Sequence, residues 1–298
     1  GPQGTSLGLW SFLSQTNDNP EKTEKENIFK FVDDKTVLEI INLLSIGIAS
    51  HNYRANVPSN VRTSGLVISN MNLKTQEHLN DIDRWTNEKK MLLNAKKTKN
   101  IVFNFSKKSH FTTEIQLNGE KIETVTDTKL LGTVLTDKLD WNKNTDCIVK
   151  AANKRMSFLH KSSKFTTNKP DLKRIYISQV RSKLEQSAVV WHSSLTQKCK
   201  RKLERVQKSA LRVIMGPRYT NYSDALLKFN LQTLDERRQL LCIKFAKKCL
   251  IVDKFKKNFP LNVKSHKMEK RNHERYKVNK SFTERHRVSA IPFTCRDF

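Results

Sequence analysis

The sequence predicts an α+β fold, with short strands in a small antiparallel sheet in its first half and an all-helical second half. Three observations predict it. Apolar residues flank two adjacent carboxylates in Phe31-Val32-Asp33-Asp34, the layout of a strand, a tight turn and a second strand or helix start. Ile115-Gln116-Leu117 and Ile122-Glu123-Thr124-Val125 flank Asn118-Gly119, a dipeptide whose tolerance of positive φ suits a two-residue hairpin turn. After Trp141 the apolar residues recur with the period of a helix face.

Gly1-Pro2-Gln3-Gly4-Thr5-Ser6-Leu7-Gly8 opens the chain and runs into Leu9-Trp10-Ser11-Phe12-Leu13. Glycines there allow close backbone approach to a ligand. The apolar residues after them suit a buried helix, and a flexible end is the plainer reading. Residues 15–26 are polar and read as a loop, after which Ile28 and Phe29 lead into the Asp-Asp turn. Val37 to Ile48 is apolar with breaks at roughly helical spacing, and 51–63, with Pro58, reads as a loop. From Asn70 a helix is expected, because Leu73, Gln76, Leu79, Ile82 and Trp85 share one face. A basic loop follows, then Ile101, Phe103 and Phe105 at strand alternation. Lys129 to Leu135 is a further strand-like run, in which Gly132 marks a bulge or a close approach.

The second half divides into four helices. Ile148, Ala152, Met156 and Leu159 mark the first, and Leu172, Ile175, Tyr176 and Val180 the second. Cys199, Leu203, Val206, Ala210, Leu211 and Ile214 mark the third, ended by Gly216-Pro217. Leu240, Leu241, Ile243, Phe245, Ala246 and Leu250 mark the fourth. Lysine and arginine are expected on the polar faces. From about Lys254 the periodicity fades while the chain stays basic, so a loose tail is expected.

Lysine and arginine total 56 against 29 acidic residues in a chain of 298, a formal charge of +27. So large an excess calls for a polyanionic partner, nucleic acid first and an anionic membrane surface second. The longest apolar stretch, Val37 to Ala49, contains Glu39, Asn42 and Ser45 and is too short to span a bilayer, so no membrane partner is expected. The five cysteines are scattered, odd in number and without a Cys-x-x-Cys pair, which reads as reduced thiols rather than disulfides or zinc ligands. The eight histidines show no ligand spacing, and most are expected on the surface or in loops. With no signal peptide in view, an intracellular protein of nucleus or cytoplasm is expected, not a secreted one. The chain opens on Gly1 rather than Met, and an N-terminally truncated protein is expected.

Asp33 and Asp34 carry the chemistry. Two carboxylates held close repel each other and share a need for cation. Divalent ions meet that need, and paired ions on carboxylates are a common device for phosphoryl transfer. Read alone, the tetrapeptide is a solvated turn.

Four segments in order resemble the reverse transcriptase of a non-LTR retrotransposon of the jockey-like kind. Gly1 to Gly8 resembles the Pro-Gln-Gly-Ser type motif beside nucleotide and template. Phe31-Val32-Asp33-Asp34 resembles the Tyr/Phe-x-Asp-Asp catalytic turn. Leu93-Asn94-Ala95-Lys96-Lys97-Thr98-Lys99 resembles the Leu-Asn-x-x-Lys-Thr-Lys segment, and Lys129-Leu130-Leu131-Gly132 the hairpin that grips the primer end. Leu139-Asp140-Trp141, Leu203 to Arg212 and Leu234 to Arg238 resemble that family's helical region.

The resemblance covers about residues 1–252 and implies an RNA-directed DNA polymerase, a nucleotidyltransferase that uses Mg2+, with Mn2+ as an alternative. The implied partners are an RNA template, a DNA primer and deoxynucleoside triphosphates. By it, 1–105 is a partial palm, 106–140 a hairpin and primer-grip-like segment, 141–252 a helical thumb-like region and 253–298 a poorly ordered basic tail. Asp33 and Asp34 are the implied catalytic metal ligands, Asp34 the less essential. Lys97 is the implied catalytic lysine at the leaving pyrophosphate, with Lys96 adjacent. Pro2, Gln3, Gly4 and Thr5 would shape the nucleotide and template pocket, and Leu131 and Gly132 the primer grip. The family's third metal-binding carboxylate comes from a strand upstream of this sequence, so the chain alone is expected not to polymerise. The alternative is a non-catalytic nucleic-acid-binding remnant.

Overall fold

The structure is a computed structural model that describes residues 28–31, 34–37, 74–90, 93–103, 114–166 and 168–252, together with residues 256, 287, 289, 291 and 293. The chain divides into two compact units, Gly1–Thr128 and Lys129–Phe298. The described residues are mostly helical, with few and short strands.

In the first unit β1 (Ile28–Phe31) pairs antiparallel with β2 (Asp34–Val37), Ile28 opposite Val37 and Phe31 opposite Asp34. Helix α1 (Lys74–Glu88) buries Ile82 and Trp85, as its periodicity predicts. Gln76, placed on that face by spacing, does polar work instead. Its Nε2 donates to the Gln116 carbonyl, and its Oε1 accepts from the Gln116 N–H, each at 2.9 Å. The predicted strand at Ile101, Phe103 and Phe105 is shorter and earlier. It is β3 (Lys99–Asn100), and residues 101–103 follow without regular structure, while Phe105 lies outside the described residues.

The Asn118-Gly119 hairpin forms as its sequence predicts. Strands β4 (Gln116–Leu117) and β5 (Glu120–Lys121) pair antiparallel, with Asn118 at φ 53° and Gly119 at φ 77°. Both central residues at positive φ match the right-handed twist of the flanking strands. Strand β6 (Glu123–Thr124) pairs with β3 in parallel, Lys99 opposite Glu123. The small core here is Ile115, Leu117 and Ile122, with Leu79, Leu93 and Ala95 against it. Strand β7 (Asp127–Leu130), through which the unit boundary passes, pairs with β8 (Thr133–Thr136). The described strands therefore make four separate two-stranded pairs, one of them parallel, rather than one small antiparallel sheet. Each ladder is only two to four residues long.

The second unit carries the main core. Helix α2 (Asn142–Phe165) buries Ile148, Ala152, Met156 and Leu159. Helix α3 (Lys169–Ile175) has Pro170 in its first turn and runs into a π-helical turn, Tyr176–Arg181, and then α4 (Ser182–Leu184). Leu172, Tyr176, Val180 and Leu184 keep one buried stripe through all three. At the widened turn the Gln179 carbonyl accepts from Arg155 Nη1 of α2 at 2.9 Å.

Helix α5 (Ala188–Trp191) leads through a short 3-10 turn, His192–Ser194, to α6 (Gln197–Met215), capped by the Thr196 side chain and ended by Gly216 at φ 58°. After a second 3-10 turn, Gly216–Arg218, come α7 (Tyr222–Lys228), capped by Asn221, and α8 (Leu234–Cys249). Thr233 and Glu236 form a reciprocal capping box at the start of α8. Leu159, Leu184, Trp191, Leu203, Leu211 and Leu234 are completely buried. Burying a leucine side chain contributes about 1.5–3 kcal/mol.

Two expectations need correction. The fourth helix turns a different face inward: Leu240 and Phe245 are exposed, and the buried stripe is Leu234, Arg238, Cys242, Ala246 and Cys249. The stripe keeps helical spacing, and of its members only Ala246 is among the expected residues; Arg238, Cys242 and Cys249 are charged or sulfur-bearing, so an apolar scan passes over them. Arg238 is thus the arginine that does not lie on a polar face. Of the histidines, His78 and His192 are buried. Among the described residues Cys147, Cys199, Cys242 and Cys249 are thiols, the last three buried. No helix among them is long and apolar enough to cross a membrane.

Candidate functional site

The Asp-Asp segment lies at the β1–β2 hairpin. The ladder runs to Phe31 opposite Asp34, so Val32 and Asp33 are the two residues between the paired strands. Asp34 is the first residue of β2. Val32 and Asp33, and likewise Pro2, Gln3, Gly4 and Thr5, lie outside the described residues. Among the described residues no three His, Cys, Asp or Glu side chains gather as a metal-binding group.

Lys97 sits in a turn organised by Asn94. The Lys97 N–H donates to both the Asn94 carbonyl and Asn94 Oδ1 at 3.1 Å. The Thr98 N–H and hydroxyl donate to the same carbonyl, at 3.1 and 3.0 Å. The asparagine side chain thus imitates a backbone turn. The Lys96 and Lys97 side chains are exposed and have no carboxylate partner among the described residues, whereas Lys99 pairs with Glu123 across the parallel β3–β6 ladder. The turn presents two unneutralised cations beside a strand end, which suits an anionic ligand.

Leu131 and Gly132 come together at the tip between β7 and β8, in the second unit. Both have positive φ, 46° and 84°. Gly132 adopts this freely, but a leucine there is strained by its Cβ. The Leu131 side chain is half exposed. Strain of this kind persists where the surroundings over-determine it. The surroundings here are Gln186 and Asn144. A Cβ added to Gly132 would lie 2.5 Å from Gln186 Nε2. Gln186 is itself held, its Oε1 accepting from Lys183 Nζ at 2.8 Å and its carbonyl from Trp191 Nε1 at 3.1 Å. Buried Asn144 accepts the Val134 N–H at 3.1 Å and roots β8 on α2. Sequence reasoning finds the glycine but not Gln186, more than fifty positions away, for which no local pattern exists.

Two buried polar clusters also escaped the sequence. Gln207, fully buried, accepts from Tyr176 Oη at 2.5 Å and donates to Tyr222 Oη at 2.7 Å and the Gln232 carbonyl at 3.0 Å. Tyr222 donates onward to Glu204, which also accepts the first N–H of α8, from Leu234, at 3.2 Å. Burial holds the Tyr176 and Tyr222 hydroxyls protonated far above their usual range. This network fastens α6, α7 and α8 together.

The second cluster surrounds Arg238, whose Nε lies 3.4 Å from His192 Nδ1 and whose guanidinium stacks over Trp191 at 5.8 Å. Asp235 faces both, 3.9 Å from His192 and 3.7 Å from Arg238, and binds Lys200 at 3.0 Å. Phe293 packs edge-on against His192 at 5.8 Å, which places at least this residue of the basic tail on the helical core. Burial first, and the Arg238 charge second, lower the His192 pKa to about 4, against the opposing pull of Asp235.

Comparisons of the chain with protein-family models, with curated proteins and with solved structures give no match.

Proposed function

We propose that this chain is the reverse transcriptase region of a non-LTR retrotransposon, an RNA-directed DNA polymerase that acts inside the cell on RNA template, DNA primer and deoxynucleoside triphosphates. The observation that carries the reading is the order of four motifs along one chain, Phe31-Val32-Asp33-Asp34 among them. Supporting it, the ladder ends at Phe31 and Asp34, so Asp34 opens the second strand of the pair. The Asn94 turn leaves Lys96 and Lys97 without carboxylate partners, and the strained Leu131-Gly132 tip is half exposed.

Carboxylate oxygen is the donor that Mg2+ takes. Asp33 and Asp34 are the residues that would hold it, and a bound ion there supplies neutralising charge for phosphoryl transfer. Residues 1–105 then form palm, 106–140 primer grip and 141–252 thumb. The test is primer extension on an RNA template by the product of the complete reading frame that contains this chain. Extension is expected in Mg2+ and is expected to fall by more than about a thousandfold in Asp33→Ala, roughly 4 kcal/mol of barrier. Extension indifferent to Asp33 overturns the reading.

The second reading is a nucleic-acid binder without catalysis. The cations of the helical unit that have no carboxylate partner among the described residues favour it. No extension under any metal, together with tight binding of primer–template, selects it.

A further inference from the structure

The acidic residues around α6 are turned inward or neutralised. Glu204, the helix's own carboxylate, serves Tyr222 and the Leu234 N–H. Asp146 of α2 is bound by Lys202 at 2.5 Å, and Asp235 of α8 by Lys200 at 3.0 Å. What remains outward is Lys198, Arg201, Arg205, Lys208 and Arg212, at spacings of three and four that place them on one face. None of the five has a carboxylate partner among the described residues. Two are held by aromatic rings, Lys208 over Tyr222 at 4.9 Å and Arg212 over Tyr219 at 5.4 Å. An open groove of about 320 Å³ runs beside the stripe between α2 and α6, where Asn153 and Ser209 add hydrogen-bonding groups to Arg205 and to the paired Lys202 and Asp146.

We infer that this stripe of α6, with the groove beside it, is the surface that holds the phosphate backbone of a nucleic-acid duplex. The stripe spans about 21 Å at the helical rise. That is roughly the rise of six base pairs. A membrane surface fits worse. A helix that lies on lipid needs an outward apolar face, and the apolar face of α6, from Cys199 to Ile214, is buried in the core. A single strand fits worse as well, because its bases need exposed aromatic platforms. No aromatic residue lines the groove, and Tyr219 and Tyr222 are half-buried beneath cations. The inference rests on the nucleic-acid part of the proposed function and not on catalysis.

The test measures binding of the full chain to an RNA–DNA hybrid of about 20 base pairs, from about 50 to about 300 mM salt, by fluorescence anisotropy. Each lost phosphate contact lowers the slope of log K against log salt by about 0.9. The triple variant Arg201→Gln, Arg205→Gln, Arg212→Gln is expected to reduce the slope by about 2–3 and to weaken binding at least about tenfold at low salt. The charge-matched control is Lys244→Gln, Lys247→Gln, Lys248→Gln on the exposed side of α8. It is expected to change the slope by less than about one. Circular dichroism checks that both variants keep their helices. Equal losses in the two variants overturn the inference, since bulk charge then explains binding. So does stripe-dependent binding to phosphatidylserine vesicles without binding to the hybrid. Stripe-dependent duplex binding in a chain that shows no primer extension upholds the inference while the polymerase reading fails. Asp33-dependent extension with an unaltered slope in the stripe variant does the reverse.

Discussion

The two units are built on opposite principles. In Gly1–Thr128 the described order is one helix, α1, and ladders two to four residues long, one of them parallel, with a small core cluster whose buried members are Ile115, Leu117 and Ile122. Among the described residues of Lys129–Phe298 seven α-helices share a core that includes six completely buried large apolar residues, pinned by two buried polar clusters. The motifs of the proposed chemistry at Asp33-Asp34 and Lys97 belong to the first unit and the bulk of the core to the second. Local turn chemistry is enough to shape a small hairpin, whereas a helical unit depends on contacts between distant residues. Mutations in the second unit should therefore act cooperatively and those in the first locally.

The sharpest way to break that contrast is a pair of truncations. Leu203→Ala, in the middle of α6, is expected to destabilise the helical unit by about 3–5 kcal/mol, because rigid neighbours on all sides prevent collapse of the cavity. Ile122→Ala is expected to cost about 1–3 kcal/mol, because its three-residue core is backed by half-buried neighbours that can close in. Urea unfolding followed by helical ellipticity reads the first, and hydrogen exchange at the β4–β5 hairpin reads the second. Equal costs would mean that the two units are not built differently.

A smaller effect sharpens the role of the buried cluster. His192 is neutral in the folded protein with a pKa near 4, and unfolded it returns to about 6.5. The unfolded chain therefore binds more protons between these values. This contribution to stability is complete above pH about 6.5, is lost as pH falls towards 4, and changes little below. Its slope is at most about 1.4 kcal/mol per pH unit. Denaturation midpoints of the wild type and His192→Gln across pH 4 to 7 check this, and the difference between the two should flatten above pH 6.5. A difference that is level across the whole window would deny that His192 titrates as this geometry requires.

The smallest expected effect concerns the hairpin tip. Gly132→Ala places a Cβ at 2.5 Å from Gln186 Nε2 and in a positive-φ conformation. A cost of about 1–2 kcal/mol is expected. Adding Gln186→Ala should recover part of it, since the clash goes while the backbone strain stays. A double-mutant cycle on thermal unfolding measures that coupling. Strict additivity would mean that Gln186 does not hold the tip.

What could be read from the chain was local. The Asn118-Gly119 turn forms because two adjacent residues tolerate positive φ, and no distant partner is needed. Helix α1 and the stripes of α2, α3 and α6 follow from periodicity, since a helix face repeats within one turn. The proposed site residues were found by motif, and the ladder from Phe31 to Asp34 places one carboxylate beside the turn. Pairing between distant segments was not legible. The parallel match of Lys99 with Glu123, the partnership of Gln76 with Gln116 and the approach of Gln186 to Gly132 join residues whose sequence neighbourhoods say nothing of each other.

Helix α8 draws the line most clearly. Its sequence offered Leu240 and Phe245 as the buried face, and the structure buries Arg238 and exposes both. Apolar content identifies a helix, but its inward face is chosen by what the neighbouring helices present. Here they present Trp191 and His192, which with Asp235 of α8 itself suit a guanidinium better than a phenyl ring. The sequence by itself determined where the turns and helices are, because those depend on residues a few positions apart. Only the tertiary structure decided which faces meet and which cations remain without partners, because a charge is neutralised by whatever the fold brings beside it.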